Sequence, residues 1–198
     1  MIKKSIFYIS ILLTVAFISS GFKPFKSQLN EELGIDENNY VNLNIPFTAK
    51  YFIGFKEAIA HKESQGKYHK INTLGYLGKY QFGVETLKSI GINDSVAFLK
   101  SPKLQEKAFV VLLSKNKYEL RDYINDFEGK VIDGVKITES GILAAAHLGG
   151  SGSVKRFLNS NGEKKCKDEY GASVKSYMKD FGGFETAGIK AIKNAQVK

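Results

Sequence analysis

A stripe of apolar side chains that ends in a carboxylate is the feature of this sequence that most restricts its fold. The sequence predicts a helix that begins near Thr48, its expected N-cap, and that carries Phe55, Ile59 and Glu63 on one face at positions i, i+4 and i+8. Glu63 therefore lies on the face that packs against the core. It is either a helix-end residue that reaches solvent or a carboxyl held against apolar side chains, where a proton is retained more easily and can pass to a leaving oxygen.

Glycines and aromatic residues follow this helix closely. Glycines allow a backbone to approach a ligand, and tyrosines offer flat faces for sugar rings and hydroxyls for hydrogen bonds. Taken alone, Tyr68, Tyr76 and Tyr80 each fit the core better than a binding site. Grouped behind an acid on an apolar face, they favour a carbohydrate cleft formed by a loop or short strand. The glycines are Gly66, Gly75, Gly78 and Gly83.

The remaining sequence predicts a mainly α domain with a small β element. Asp133-Gly134 between β-branched residues indicates a hairpin. Ser101, with Pro102 behind it, starts either one long helix or two. Further helices are predicted over 84–90, ending at Gly91, over 138–148, capped by Thr138 and ended by Gly149 and Gly150, and over 168–181.

The N-terminus has the parts of an export signal. Lys3 and Lys4 precede an apolar segment over 5–18, and small residues follow it. We therefore expect a signal peptide over 1–21, an extension or linker over 22–47, and a folded domain over 48–198. A retained N-terminal anchor is the alternative. Cleavage of the signal peptide would make the protein periplasmic or secreted, with no stable membrane anchor. A location outside the cytoplasm argues against a nucleic-acid partner.

Charge and cysteine content limit the classes of partner. The net charge is +9 and lysine predominates over arginine, which indicates either a solvated surface or attraction to a polyanion such as an acidic cell-wall polymer. The single cysteine, Cys166, excludes an internal disulfide and a multi-cysteine metal site. The three histidines show no ligand spacing, so we expect no metal and no cofactor.

Four short motifs occur in a characteristic order. Together they resemble those of bacterial lytic transglycosylases of the lysozyme-like superfamily, which includes soluble lytic transglycosylases and goose-type lysozymes. The family's motifs are Glu-Ser closing a helix, Gly-x-x-Gln-hydrophobic, Ala-Ala-Tyr-Asn-Ala-Gly-x-Gly, and a late helical tyrosine near the acid. Their counterparts here are Glu63-Ser64, Gly78 to Phe82, Ala145 to Gly152, and Tyr177.

The resemblance implies an α+β lysozyme-like fold, a single helical domain with a small β element beside the active-site cleft. It also implies that Glu63 is the lone catalytic acid and then the base, that Ser64 orients it or the sugar, and that Tyr177 hydrogen-bonds near it. His147 and Leu148 depart from the family's tyrosine and asparagine, and the lost amide means a lost hydrogen bond to the glycan. The predicted substrate-binding residues are Ser64, Tyr76, Gly78, Tyr80, Gln81, Phe82, His147, Gly149 and Tyr177.

The implied activity is cleavage of peptidoglycan between N-acetylmuramic acid and N-acetylglucosamine, leaving 1,6-anhydro ends. Glycoside hydrolysis ordinarily needs two carboxylates, and the sequence shows no obvious partner for Glu63, since Glu85 and Asp94 are predicted on the surface. A lysozyme-type hydrolase with an unrecognised second carboxylate is one alternative. A catalytically weak glycan-binding envelope protein is the other.

Overall fold

The computed structural model describes residues 50–167 and 171–198. The predicted export signal and the predicted extension lie outside these residues and remain predictions. Thr48 also lies outside them, but its prediction as the N-cap is wrong, because the helix begins at Phe52 and its N-cap is Tyr51. The described chain is mainly helical, as expected from the sequence. Its elements are α1 (Phe52–Ser64), α2 (Val84–Ser89), α3 (Ser95–Lys100), α4 (Pro102–Glu119), α5 (Arg121–Phe127), β1 (Val131–Ile132), β2 (Val135–Lys136), α6 (Glu139–Asn159) and α7 (Val174–Asp180).

Helix α1 places the acid in its last turn. It begins at Phe52, after an extended Tyr51 that provides no side-chain cap. It ends at Gln65, whose left-handed conformation (φ 59°) lets the N–H of the following Gly66 bond to the carbonyl of Ala60 at 3.0 Å. Phe55 and Ile59 are fully buried. The predicted apolar face is therefore confirmed, and Glu63 continues it at the point where the helix stops.

The segment over 65–83 is a tight loop pinned by isolated bridges, in agreement with the loop or short strand expected there. Leu77 pairs antiparallel with both Ile71 and Phe82. Gly78 has φ +77°, and a Cβ at this position would overlap the side-chain amide of Gln105. Glycine is therefore required here both for the backbone conformation and for the close approach of α4.

The two-helix alternative is the one observed after Ser101. The hydroxyl of Ser101 accepts from the N–H of Leu104 at 3.2 Å, and Pro102 is the first helical residue. The chain leaves helical geometry at Leu120 before α5 begins. The short helix α3 was not expected; its cap is Asp94, whose carboxylate accepts from two backbone N–H groups.

The Asp133-Gly134 hairpin forms as predicted. Ile132 pairs with Val135 and Val131 with Lys136. Both turn residues have positive φ, 47° and 75°, which suits the right-handed twist of a two-residue hairpin.

Helix α6 is longer than expected, although its break is where the glycines predicted it. Thr138 caps the helix by accepting from the N–H of Gly141. Gly150 is non-helical (φ 74°, ψ 162°), but helical structure resumes and continues to Asn159. It resumes because Val154 and Phe157 beyond the kink are fully buried in the core.

The core is organised around α6, which packs against α4, α5 and α7. Ala144 and Ala145 are fully buried at its centre. Gly141 allows α7 to approach closely, since a Cβ there would lie 2.6 Å from the carbonyl oxygen of Met178. Helix α7 is shorter than predicted and starts after a capping box formed by Ser173 and Ser176. This approach fixes the position of Tyr177.

Among the described residues, none of the helices combines the length and apolar character that crossing a membrane requires.

Candidate active site

Glu63 meets α7 at the end of the apolar stripe. The hydroxyl of Tyr177 donates a hydrogen bond to Glu63 Oε1 at 2.8 Å. Tyr177 is 2% exposed, and the Glu63 side chain is 16% exposed. Of the two explanations left open by the sequence, the structure shows a largely buried carboxyl rather than one that simply reaches solvent. The late-helix tyrosine selected from the sequence is the one that touches the acid.

A pocket of about 790 Å³ opens over this carboxyl. We call it the Glu63 pocket. The ammonium group of Lys70 donates to the backbone carbonyl of Glu63 at 3.2 Å, which joins the loop to the helix end. Two lysines against one carboxylate give the lining an excess of positive charge. The pocket is lined by Lys62, Glu63, Lys70, Ile71, Asn72, Thr73, Gln81, Gly171, Ala172 and Tyr177.

Gln81 has a strained backbone and an unsatisfied acceptor. Its φ is 52°, an uncommon value for a residue other than glycine. Its Nε2 donates to the carbonyl of Gly78 at 2.8 Å, so the amide is held in one orientation. Its Oε1 is buried and has no hydrogen-bond partner among the described residues. Because buried acceptors are normally paired, Gln81 is a candidate for bonding a ligand N–H or O–H.

His147 is the second side chain near the acid. Its Nε2 lies 2.9 Å from the carbonyl oxygen of Tyr80 and 4.0 Å from Glu63 Oε1. Since a carbonyl can only accept, Nε2 carries the proton. Nδ1 is buried without a partner among the described residues. Burial lowers the pKa of His147, although the charge of Glu63 and the hydrogen bond to Tyr80 oppose this. His147 is therefore a neutral donor.

A second pocket, of about 390 Å³, shares Gln81 with the first. We call it the Glu119 pocket. The kink at Gly150 turns Ser151 towards α4, where its hydroxyl donates to Glu119 Oε2 at 2.7 Å. The shared glutamine makes the two pockets neighbouring parts of one cleft. The lining residues are Tyr76, Gln81, Phe82, Gly83, Thr86, Ser89, Leu112, Lys115, Asn116, Glu119, Ala146, His147, Leu148, Gly149, Gly150 and Ser151.

The structure places most of the predicted site residues on these pockets. Glu63 and Tyr177 line the first, Gln81 lines both, and the second is lined by Tyr76, Phe82, His147 and Gly149. The small β element expected beside the cleft is the bridged loop over 71–82, because the β1–β2 hairpin contributes no residue to either pocket.

Ser64, Gly78 and Tyr80 are placed differently from the prediction. The Ser64 hydroxyl is buried and bonds to the carbonyl of Lys79 at 2.7 Å, so it holds the loop rather than the acid or a sugar. Gly78 forms the turn and lines neither pocket. Tyr80 is fully buried and stacks on Phe109 with ring centroids 4.0 Å apart, so it cannot stack on a glycan. The side chains of Ser64 and Tyr80 point inward because the loop that carries the motif packs over the core.

A partly buried ionic network supports the loop on the side away from the pockets. Glu106 accepts hydrogen bonds from Lys56, Lys79, Tyr68 and Tyr80 at 2.7–3.0 Å. Burial alone would raise the pKa of Glu106, but these four donors outweigh it and lower the pKa to about 2. Burial would likewise lower the pKa of Lys79, and its bonds to Glu57 and Glu106 raise it instead. The network thus links α1, the loop and α4.

Sequence reasoning missed the contribution of α4 to the cleft. Leu112, Asn116 and Glu119 follow the i, i+4, i+7 spacing of one helical face, and Leu112 and Asn116 are buried. This spacing was a usable signal, because it places two polar residues on the side of the helix that faces the core. Glu119 is a second carboxylate in the cleft, whereas Glu85, considered from the sequence, has an 84% exposed side chain.

The described residues contain no group of three or more histidine, cysteine or acidic side chains arranged to hold a metal ion. No protein-family model, curated protein or solved structure matches this chain.

Proposed function

We propose that this protein is a peptidoglycan lytic transglycosylase with a lysozyme-like fold and a single glutamate as general acid and base. The observation that carries the proposal is the Glu63 carboxyl, which ends an apolar helix face, accepts from Tyr177 and opens into a pocket of about 790 Å³. The motif resemblance supplies the substrate class. The predicted export signal and a periplasmic or secreted location belong to the same proposal, because peptidoglycan lies outside the cytoplasm.

The arrangement suits proton transfer to a glycosidic oxygen. Because Tyr177 donates to Oε1, the transferable proton is assigned to Oε2. Glu63 passes it to the β-1,4 oxygen as the bond from C1 of N-acetylmuramic acid breaks. The sugar's 2-acetamido group stabilises the positive C1. The 6-hydroxyl then attacks C1, its proton returns to Glu63, and a 1,6-anhydro end forms without consuming water.

The experiment compares wild type with Glu63→Gln on purified peptidoglycan, reading soluble products by mass spectrometry. We expect anhydro-muropeptides from wild type and a rate at least about 10²–10⁴-fold lower from the variant. The variant should still sediment with the wall. Glu85→Gln is the matched control, since Glu85 lies on the exposed face of α2. Equal product from wild type and Glu63→Gln would contradict the proposal.

A lysozyme-type hydrolase is the second candidate, and Glu119 is the observation that favours it. Hydrolysis needs a group to activate water, and Glu119 lines the pocket that adjoins the acid. Its Oε2 already accepts from Ser151. In the same assay a hydrolase releases reducing ends that are heavier by one water, and Glu119→Gln would then abolish turnover. A non-catalytic binding protein would sediment with the wall and release neither product.

A further inference from the structure

The Glu119 pocket contains a buried amide that the fold leaves unused. Asn116 is 6% exposed, and its Nδ2 has no hydrogen-bond partner among the described residues. Leaving such a donor unpaired costs roughly 1–3 kcal/mol, so a leucine of similar shape would suit a purely structural position better. Asn116 also lines the wall of this pocket, so its side-chain amide lies beside any ligand that the pocket holds.

The lining of this pocket restricts the chemistry of that ligand. Lys115 and Glu119 carry opposite formal charges and His147 is neutral, so the formal charges of the pocket wall cancel. Leu112, Ala146 and Leu148 provide an apolar wall beside the amide. A neutral group with one acceptor, one donor and a methyl fits this combination. The acetamido group of an N-acetylated sugar has these three features.

The Glu119 pocket also adjoins the Glu63 pocket, in which the proposed glycan strand is cleaved. Gln81 lines both pockets, so a glycan seated over Glu63 continues past this residue into the space beside Asn116. A pocket of about 390 Å³ lies within the roughly 300–1,000 Å³ typical of small-molecule sites.

We propose that the Glu119 pocket binds one N-acetylated sugar residue of the strand, and that Asn116 recognises its acetamido carbonyl. This inference rests on the proposed function for the identity of the strand. The O and N ends of an asparagine side-chain amide are assigned from their hydrogen bonds, and Nδ2 has no such bond among the described residues, so we place Nδ2 at the end of the amide that faces the pocket. The amide that the third motif lacks at Leu148 is thus supplied from a different helix, α4.

The test uses Asn116→Leu in the Glu63→Gln protein, with binding of a hexasaccharide of N-acetylglucosamine measured by calorimetry. We expect affinity to fall roughly 2- to 10-fold, the value of one hydrogen bond. Thermal stability should stay the same or rise, because an unpaired buried amide has been replaced by an apolar side chain. A structural role would instead lower stability and leave binding unchanged. Asn125→Ala, on the exposed side of α5, is the matched control.

Affinities for oligomers of two to six N-acetylglucosamine residues show which sugar of the chain contacts Asn116. Asn116→Leu should remove the gain in affinity at one chain length and leave shorter oligomers unaffected. Unchanged affinity of the hexasaccharide would overturn the inference, while anhydro products from wild type would still support the proposed function. An Asn116-dependent affinity in a protein that releases no product would support the inference and refute the enzyme.

Discussion

At the residue scale, two side chains from distant parts of the chain converge on one oxygen of Glu63. Tyr177 donates to Oε1 at 2.8 Å, and the Nε2 of His147 lies 4.0 Å from the same atom. Tyr177 orients the carboxyl through its hydrogen bond, whereas His147 is a neutral neighbour whose Nε2 bonds to the carbonyl of Tyr80.

Removing the hydroxyl of Tyr177 tests this arrangement. We expect Tyr177→Phe to lower kcat/KM about 10- to 100-fold, because hydrogen bonds to charged groups contribute roughly 1.5–3 kcal/mol. The ring should keep its packing against Phe181, so circular dichroism should be unchanged and the melting temperature should fall by only several degrees. Tyr123→Phe is the control, since its hydroxyl bonds Asn159 away from both pockets. Full activity in Tyr177→Phe would show that the contact is incidental.

At the scale of elements, the loop over 65–83 carries the site because α4 and α1 hold it from two sides. The N–H of Lys79 donates to the side chain of Gln105 at 2.8 Å, and the hydroxyl of Ser64 bonds to the carbonyl of Lys79. Gln81 lies two residues after Lys79. The two hydrogen bonds that fix Lys79 therefore also fix the backbone from which the Gln81 side chain points into the cleft. Within this motif, Gly78 and Lys79 therefore hold the loop in place, whereas Gln81, two residues later, faces the pockets.

Alanine substitutions at two loop glycines separate backbone strain from packing. Gly75 and Gly78 both have positive φ, +82° and +77°. A Cβ at Gly75 meets nothing within 4 Å, whereas at Gly78 it overlaps the amide of Gln105. We expect Gly75→Ala to cost about 1–2 kcal/mol of unfolding free energy and Gly78→Ala roughly 1–3 kcal/mol more.

Urea denaturation measures both variants against wild type. Gly78→Ala should in addition reduce glycan cleavage, because moving Gln105 releases the backbone that aims Gln81. Equal destabilisation by the two substitutions would mean that the close approach of α4 contributes nothing to holding the loop.

At the scale of the whole molecule, the Glu106 network joins α1, the loop and α4 in one set of charge-assisted bonds. The folded-state pKa of Glu106 is about 2, against an ordinary value of 4.5. A depressed carboxyl pKa stabilises the folded state above the unfolded-state value and loses this effect as the pH falls towards the folded-state value. Acid should therefore weaken the fold between about pH 4.5 and pH 2 through this group.

Glu106→Gln should remove that part of the acid sensitivity. We expect the variant to be less stable at pH 7 by roughly 1–3 kcal/mol, because Lys56 and Lys79 lose their shared counter-charge at a partly exposed site that solvent screens. The gap from wild type should narrow as the pH falls below 4.5. Denaturant unfolding at pH 7, 5 and 3 measures it. His147, whose pKa burial lowers below 6.5, weakens both proteins equally as the pH drops. A gap independent of pH would contradict the network's role.

The sequence alone determined the features that depend on local chemistry and periodicity. It indicated the apolar face of α1 with Glu63 on it, the Ser101 and Thr138 caps, the Asp133-Gly134 hairpin and the break at Gly150. Each of these follows from side-chain spacing or from the φ and ψ values that a residue type allows within a few positions.

Tertiary structure alone decided which of the motif residues face away from the cleft and which residues of α4 face it. Tyr80 turns inward because its ring stacks on Phe109, and Ser64 turns inward because its hydroxyl bonds to the carbonyl of Lys79. Asn116 and Glu119 reach the cleft because α4 packs against α6, an encounter between segments distant in sequence. Spacing along the chain predicts which residues share a helical face, but only long-range packing determines which groups that face contacts.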